Sequence, residues 1–232
     1  MAKLNKQGKL IVIDGTDGSG KATQVKLLEK RLKKEKRKVK VVDFPEYYGN
    51  FFGAFIGHCL SEQYYNWTNI HPKIASIAYA ADRWESSAQI KKWLAEGYIV
   101  LANRYVSANQ IHQGGKIKNA SKRASYLKWL EEMEYGVFKI PRPDRVVYLN
   151  VPMKVILRLI KERNKKTARA YTGKKKDIVE GNVEYLSNST KAAEWLSRRE
   201  KGWIKIDCVK EGILRTPELI HEEIYGKIKI IL

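Results

Sequence analysis

The sequence predicts an α/β fold: a three-layer α/β/α sandwich around a central five-stranded parallel sheet, with a phosphate-binding loop and a mobile basic lid. Three observations predict it. Four apolar residues, Leu10 to Ile13, run into a glycine-rich turn and then a helical pattern. Short apolar runs alternate with helical stretches to the end of the chain, the order of a parallel sheet covered on both faces. Arg163–Asp177 is crowded with Lys and Arg and has no acid until its end. Burial alone does not fold such a stretch; it is either a solvated loop or a lid over phosphates.

The first strand and its turn organise the rest. Gly15, Gly20 and Lys21 fit the first seven positions of G-x-x-x-x-G-K-[ST]. Glycines let the backbone curl so that its N–H groups face phosphate oxygens with no Cβ in the way. The following helix offers the positive end of its dipole, and Lys21 adds a cation for the outer phosphates. Ala22 stands where a Ser or Thr hydroxyl usually meets Mg²⁺, and Thr23 lies about 100° further around the helix. This stretch predicts binding of a nucleoside triphosphate.

The remaining elements follow in order. Val39–Asp43 reads as a second strand, stopped by Phe44-Pro45. Phe51, Phe52, Gly53 and Ile56 mark a short helix, and Pro72 to Gly97 a long one. Tyr98–Ala102 is a third strand, Asn103–Gly115 a polar loop opening another helix, and Tyr126–Phe138 helical. Pro141 and Pro143 break the chain before a fourth strand, Arg145–Asn150. Met153–Glu162 and Glu180–Lys201 are helical, Trp203–Asp207 a fifth strand, and Pro217–Lys229 a closing helix. Ligands in such a sheet bind beyond the carboxyl ends of the strands.

Composition narrows the class. At 232 residues, one α/β domain with a mobile insert is the natural size. The net charge of +20 fits nucleic-acid binding, attraction of polyanionic nucleotides, or a lysine-rich surface. The lysine runs Lys33–Lys38 and Lys174–Lys176 have no interleaved aromatics, which disfavours nucleic acid. Cys59 and Cys208 show no disulfide or metal spacing, which suits a reducing cytoplasm, and no stretch approaches a membrane span.

Several segments in order carry a family resemblance. Ile13-Asp14-Gly15-Thr16-Asp17-Gly18-Ser19-Gly20-Lys21-Ala22-Thr23-Gln24 resembles the phosphate loop of thymidylate kinases. Asp43-Phe44-Pro45 is similar to the turn closing their second strand, and Ala81-Asp82-Arg83-Trp84 to their D/N-R-W element. Asn103-Arg104-Tyr105-Val106-Ser107-Ala108-Asn109 resembles D-R-Y-V-x-S-N, followed by His112-Gln113-Gly114 where many members carry Y-Q-G. Pro141, Asp144 and Leu149 sit in a stretch like the family's L-P-x-P-D-x-x-x-x-L. Order and spacing together make the resemblance specific over nearly the whole chain.

The resemblance implies one kinase domain over 1–232, with the phosphate loop at 15–22, a monophosphate-binding region at about 44–115 and a lid at about 163–180. It implies that Gly15, Gly18, Ser19, Gly20, Lys21, Ala22, Thr23 and Arg163 hold ATP. It places Asp17 at the 3′-hydroxyl of the monophosphate, Tyr79 against the thymine ring, Arg83 and Asn109 at its polar edge, and Arg104 on its phosphate. Phe44, His112 and Gln113 complete that site, with Lys21, Asp17, Arg104 and Arg169 nearest the chemistry. Asp177 and Glu180 resemble the D-x-x-E that ends the lid. Mg²⁺ would lean on Asp14, Asp17, water and the phosphates. Homodimerisation is a further expectation from the family.

Four departures stand out: Ala22, Asn103 in place of an acid, no arginine at the Phe44-Pro45 turn, and His112 for a tyrosine that helps exclude ribonucleotides. The expected activity is transfer of the ATP γ-phosphate to dTMP, giving dTDP. The alternatives are another pyrimidine acceptor such as dUMP, or a basic P-loop NTPase that binds nucleic acid.

Overall fold

The apolar alternation of the first strand decides the architecture. In a computed structural model that describes residues 7–61, 64, 67–166 and 182–232, with backbone only at 163–166, β1 (Lys9–Asp14) lies at the centre of the sheet. Leu10 and Val12 point to one face, Ile11 and Ile13 to the other, and all four are fully buried. A strand apolar on both faces needs cover on both, and helices supply it. On the Ile11 face pack α1 (Lys21–Lys34), α5 (Met153–Lys166) and α7 (Pro217–Ile228), through Leu28, Ile156 and Ile224. On the Leu10 face pack α3 (Pro72–Ala95) and α4 (Ala120–Glu131), through Ala80, Ile90 and Leu130.

The sheet order is β2-β3-β1-β4-β5, with β2 at Val39–Asp43, β3 at Ile99–Asn103, β4 at Arg145–Asn150 and β5 at Trp203–Asp207. All four pairings are parallel. The register sets Ile13 beside Asn103 and Asn103 beside Asp43, so β1, β2 and β3 deliver polar residues to one edge at their carboxyl ends. Three of the strands, β2, β4 and β5, have the bounds the sequence predicts.

Helix ends follow local chemistry. Asn50 caps α2 (Phe51–Leu60) by accepting from Gly53 N at 2.6 Å. Pro72 opens α3, where its missing N–H costs nothing. Asn182 caps α6 (Val183–Arg199) by accepting from Tyr185 N at 2.9 Å.

Three expectations change. Asn103–Gly115 is not a polar loop: Val106–Ala108 is a helical turn that widens into a π-helix over Asn109–Gln113. Helix α4 starts at Ala120, before Tyr126, because Asn119 caps it from outside the apolar pattern, accepting from Lys122 N at 2.9 Å. It then continues as a second π-helical turn, Glu132–Val137. A two-residue hairpin, β6 (Val209–Lys210) with β7 (Ile213–Leu214), follows β5 and is too short to show as periodicity.

Candidate active site

The loop after β1 takes its shape from glycine backbone. Gly15, Gly18 and Gly20 have φ of 150°, 80° and 88°. A Cβ at Gly15 would stand 2.8 Å from Ser19 Oγ and 2.9 Å from Leu149 O, so crowding and conformation both demand glycine there. Lys21, at the head of α1, donates from Nζ to Gly15 O at 3.0 Å and Thr16 O at 2.9 Å, holding its ammonium over the loop. The loop wall is therefore a ring of amides with a cation at its rim, suited to a polyphosphate.

Asp14 lies beneath this loop rather than in it. Its side chain is fully buried; Oδ1 accepts from Gly15 N at 2.7 Å and Oδ2 from the Ser107 hydroxyl. Burial raises its pKa, opposed by Arg104, Ser107, Lys21 and the Gly15 amide. Both oxygens accept hydrogen bonds that shape the loop, and Asp14 is not among the residues that line the loop cavity.

Two cavities meet beside the loop. One is lined by Asp17, Gly18, Gly20, Lys21, Ala22 and Thr23, with Asp43 and Asn103 from the strand ends. The other shares part of its wall with the first. It is lined by all eight sequence-predicted acceptor residues: Asp17, Phe44, Tyr79, Arg83, Arg104, Asn109, His112 and Gln113. Asp17, Phe44, Tyr47 and Arg104 border both cavities.

Arg104 is the hinge of this junction. It follows β3 with φ of 66°, a left-handed conformation uncommon outside glycine, and its N–H donates to Ile13 O at 3.0 Å. Its Nη2 pairs with Asp17 Oδ1, and Nη1 lies 3.2 Å from His112 Nε2. The Asp17 and His112 contacts hold the guanidinium where the two cavities meet.

The walls of the acceptor cavity are equally specified. Tyr79, on α3, accepts at its hydroxyl from Trp67 Nε1 at 3.0 Å, which holds its ring against that indole. Phe44 follows β2, donating from its N–H to Asn103 O at 3.0 Å and packing on Tyr105 at 5.8 Å between ring centroids. At the back, Arg83 and Glu134 form a fully buried pair, Nε to Oε2 at 2.8 Å and Nη2 to Oε1 at 2.5 Å. Burial opposes the Arg83 charge, and the Glu134 carboxylate more than offsets it, so the Arg83 pKa is raised. Asn109 donates from Nδ2 to the same carboxylate at 3.1 Å and to Ser76 O at 3.2 Å.

Sequence reasoning missed Glu134 and Tyr185. Tyr185 lies on α6, lines the acceptor cavity and stacks on His112, rings 5.8 Å apart and 3° from parallel. Its spacing resembles any core aromatic. Glu134 had a signal: it falls eight residues after Tyr126 and four after Leu130, on a face those two bury. A lone carboxylate at such a position needs a cationic partner. The Arg163 side chain, Arg169, Asp177 and Glu180 lie outside the described residues, and with them most of the expected lid.

The Mg²⁺ expectation meets a partial fit. Asn103 Oδ1 is buried without a hydrogen-bond partner and, with Asp17, lines the loop cavity. Both groups offer oxygen, the donor Mg²⁺ prefers. Among the described residues no cluster of three or more His, Cys, Asp or Glu could hold a metal without help from a ligand.

Comparisons with known proteins converge on one family. A family model described as thymidylate kinase matches residues 13–220. The thymidylate kinase of Plasmodium falciparum is 29% identical over 230 residues, covering 98% of this chain and 93% of its own. A probable thymidylate kinase of Pyrobaculum aerophilum is 27% identical over 225 residues, covering 96% and 97%. Among solved structures, thymidylate kinase from Candida albicans superposes with a TM-score of 0.72 at 19% identity, over 97% of this chain and 92% of that one, a likeness of fold.

Proposed function

The chain belongs to the thymidylate kinase family, and we propose on that basis that it transfers the γ-phosphate of ATP to dTMP, giving ADP and dTDP. One observation carries the reading: eight residues picked from separate sequence segments line a single cavity, and that cavity opens onto the phosphate loop at Asp17 and Arg104.

The residues divide the work by chemistry. The loop amides and Lys21 hold the donor phosphates. Tyr79 and Phe44 offer aromatic faces to a base, while Arg83 and Asn109 meet its polar edge. Arg104 offers guanidinium donors to the acceptor phosphate, matching its oxygens better than a point charge. Asp17 and His112 hold that guanidinium from two sides. A phosphate oxygen of dTMP then attacks the γ-phosphorus, and the bridging oxygen leaves with ADP. Little covalent work falls to the protein; positioning and charge neutralisation carry the rate. Mg²⁺ supplies further neutralisation of the transferring phosphate when bound, and Asp17 and the Asn103 side-chain oxygen are the residues that would hold it.

Two further parts of the reading rest on other features. No helix among the described residues is long and apolar enough to cross a membrane, and both cysteines are free and buried, which supports a cytoplasmic enzyme. Helix α3 leaves Ile74, Ile77 and Trp84 exposed, which supports a homodimer formed through that helix.

The test is ADP release with dTMP, dUMP, UMP, dCMP and thymidine as separate acceptors. Strong turnover with dTMP and little with UMP is the expected result. ATP binding with no turnover on any acceptor overturns the proposal.

A further inference from the structure

Glu134 lies in none of the family motifs, yet it organises the back wall of the acceptor cavity. Its carboxylate is fully buried at the first π-helical turn after α4. Oε2 accepts from Arg83 Nε at 2.8 Å; Oε1 accepts from Arg83 Nη2 at 2.5 Å and from Asn109 Nδ2 at 3.1 Å. One side chain thus fixes two residues that face the base.

The consequence is a defined order of donors and acceptors. Two of the three guanidinium nitrogens of Arg83 are committed to Glu134, and Nη1 has no acceptor among the described residues. Arg83 therefore presents a donor to the cavity it lines. Asn109 spends both Nδ2 hydrogens, one on Glu134 and one on Ser76 O at 3.2 Å. An amide anchored by its nitrogen offers its oxygen, so Asn109 presents an acceptor. A donor beside an acceptor complements a pyrimidine that carries a C4 carbonyl beside N3–H, as thymine and uracil do. It mismatches cytosine, whose C4 amine and bare N3 reverse the order.

We propose that Glu134 is a positioning residue that makes this site select 4-oxo over 4-amino pyrimidine nucleotides, by fixing Arg83 as the donor and Asn109 as the acceptor at the base edge. The proposal rests on the kinase reading above. In a Glu134→Gln variant the amide supplies one acceptor and one donor in place of two acceptors. Either Arg83 or Asn109 then faces a donor and turns away, and the edge loses its order.

Steady-state kinetics with dTMP and dCMP at saturating ATP test this. For Glu134→Gln the KM for dTMP is expected to rise about tenfold, and the dTMP-over-dCMP ratio of kcat/KM to fall by about tenfold. The kcat at saturating dTMP and the KM for ATP are expected to stay near wild type. A merely structural Glu134 lowers the active fraction instead: kcat falls equally for both nucleotides, KM and the ratio stay put, and the proposal is overturned. If Glu134→Gln does not melt cooperatively, Glu134→Asp is measured in its place. Its shorter carboxylate cannot reach both partners, so the same two shifts are expected at smaller size, and wild-type values overturn the proposal. Failure of the wild-type enzyme on dTMP overturns the kinase reading itself. Wild-type turnover on dTMP with unchanged discrimination in the variants overturns only the role of Glu134.

Discussion

Nη1 of Arg104 lies 3.2 Å from Nε2 of His112, and the other ring nitrogen of His112 lies 3.1 Å from the Ser189 hydroxyl. A guanidinium only donates, so Nε2 accepts and the imidazole proton sits on Nδ1. Ser189 accepts that proton and donates its own to Tyr185 O at 2.8 Å. His112 therefore acts on the phosphate site through Arg104, and it ties that arginine to α6.

The buried imidazole predicts a pH signature. Burial first, and the Arg104 charge second, push the His112 pKa down from 6.5 to about 3. A base whose folded pKa is depressed stabilises the fold above its unfolded pKa, and that contribution is lost as pH falls from about 6.5 towards 3. Stability at pH 5 is expected to be about 2 kcal/mol below that at pH 7.5 from this group alone. Urea unfolding across that range measures it, and His112→Gln should flatten that part of the curve. Nitrogen NMR should show a neutral Nδ1–H ring throughout.

Lys21 bridges two loop carbonyls and lines the loop cavity. Lys21→Met is expected to lower kcat by about 10²–10³-fold, the scale of losing one electrostatic contact to the transferring group. Circular dichroism should be unchanged, because β1 and α1 are held by apolar packing rather than by this ammonium.

Asn103 carries a buried side-chain oxygen with no partner at the edge of the loop cavity. Asn103→Ala should raise the Mg²⁺ concentration for half-maximal turnover about tenfold, and Asn103→Asp should lower it. Titrating Mg²⁺ at fixed ATP with each variant checks the pair, and equal requirements across all three enzymes would remove Asn103 from the metal site.

The Arg83–Glu134 pair is held in a site with almost no solvent contact. Removing one partner strands a buried charge, so Glu134→Ala should destabilise the fold by about 3–5 kcal/mol in denaturant unfolding. The double variant Arg83→Met/Glu134→Leu should recover most of that stability while losing dTMP binding. Equal destabilisation in single and double variants would show that the site depends on packing volume rather than on charge.

Much of this molecule is legible without coordinates, and unevenly so. Val39–Asp43, Arg145–Asn150 and Trp203–Asp207 can be read to the residue, since strands of a parallel sheet appear as short apolar runs between breakers. Asn103–Gly115 reads as polar loop because Asn109, His112 and Gln113 are polar residues that the fold buries. Asn109 finds partners on α3 and α4 and His112 on α6, which no local pattern announces. Asp14 is legible as an acid beside a phosphate loop, but that Ser107, from a distant segment, donates to its second oxygen is not.

The sequence by itself determined the phosphate loop and the strand–helix alternation, because both depend on backbone freedom and hydrophobic period within a few consecutive residues. It also named eight of the side chains that line the acceptor cavity, through motifs whose members sit close together. Only the tertiary structure decided which of those side chains still has a group to offer. Arg83 meets Glu134 across 51 positions and Arg104 meets Asp17 across 87. A buried charge takes whichever counter-charge the fold brings beside it, and that choice sets the donors and acceptors left for a ligand.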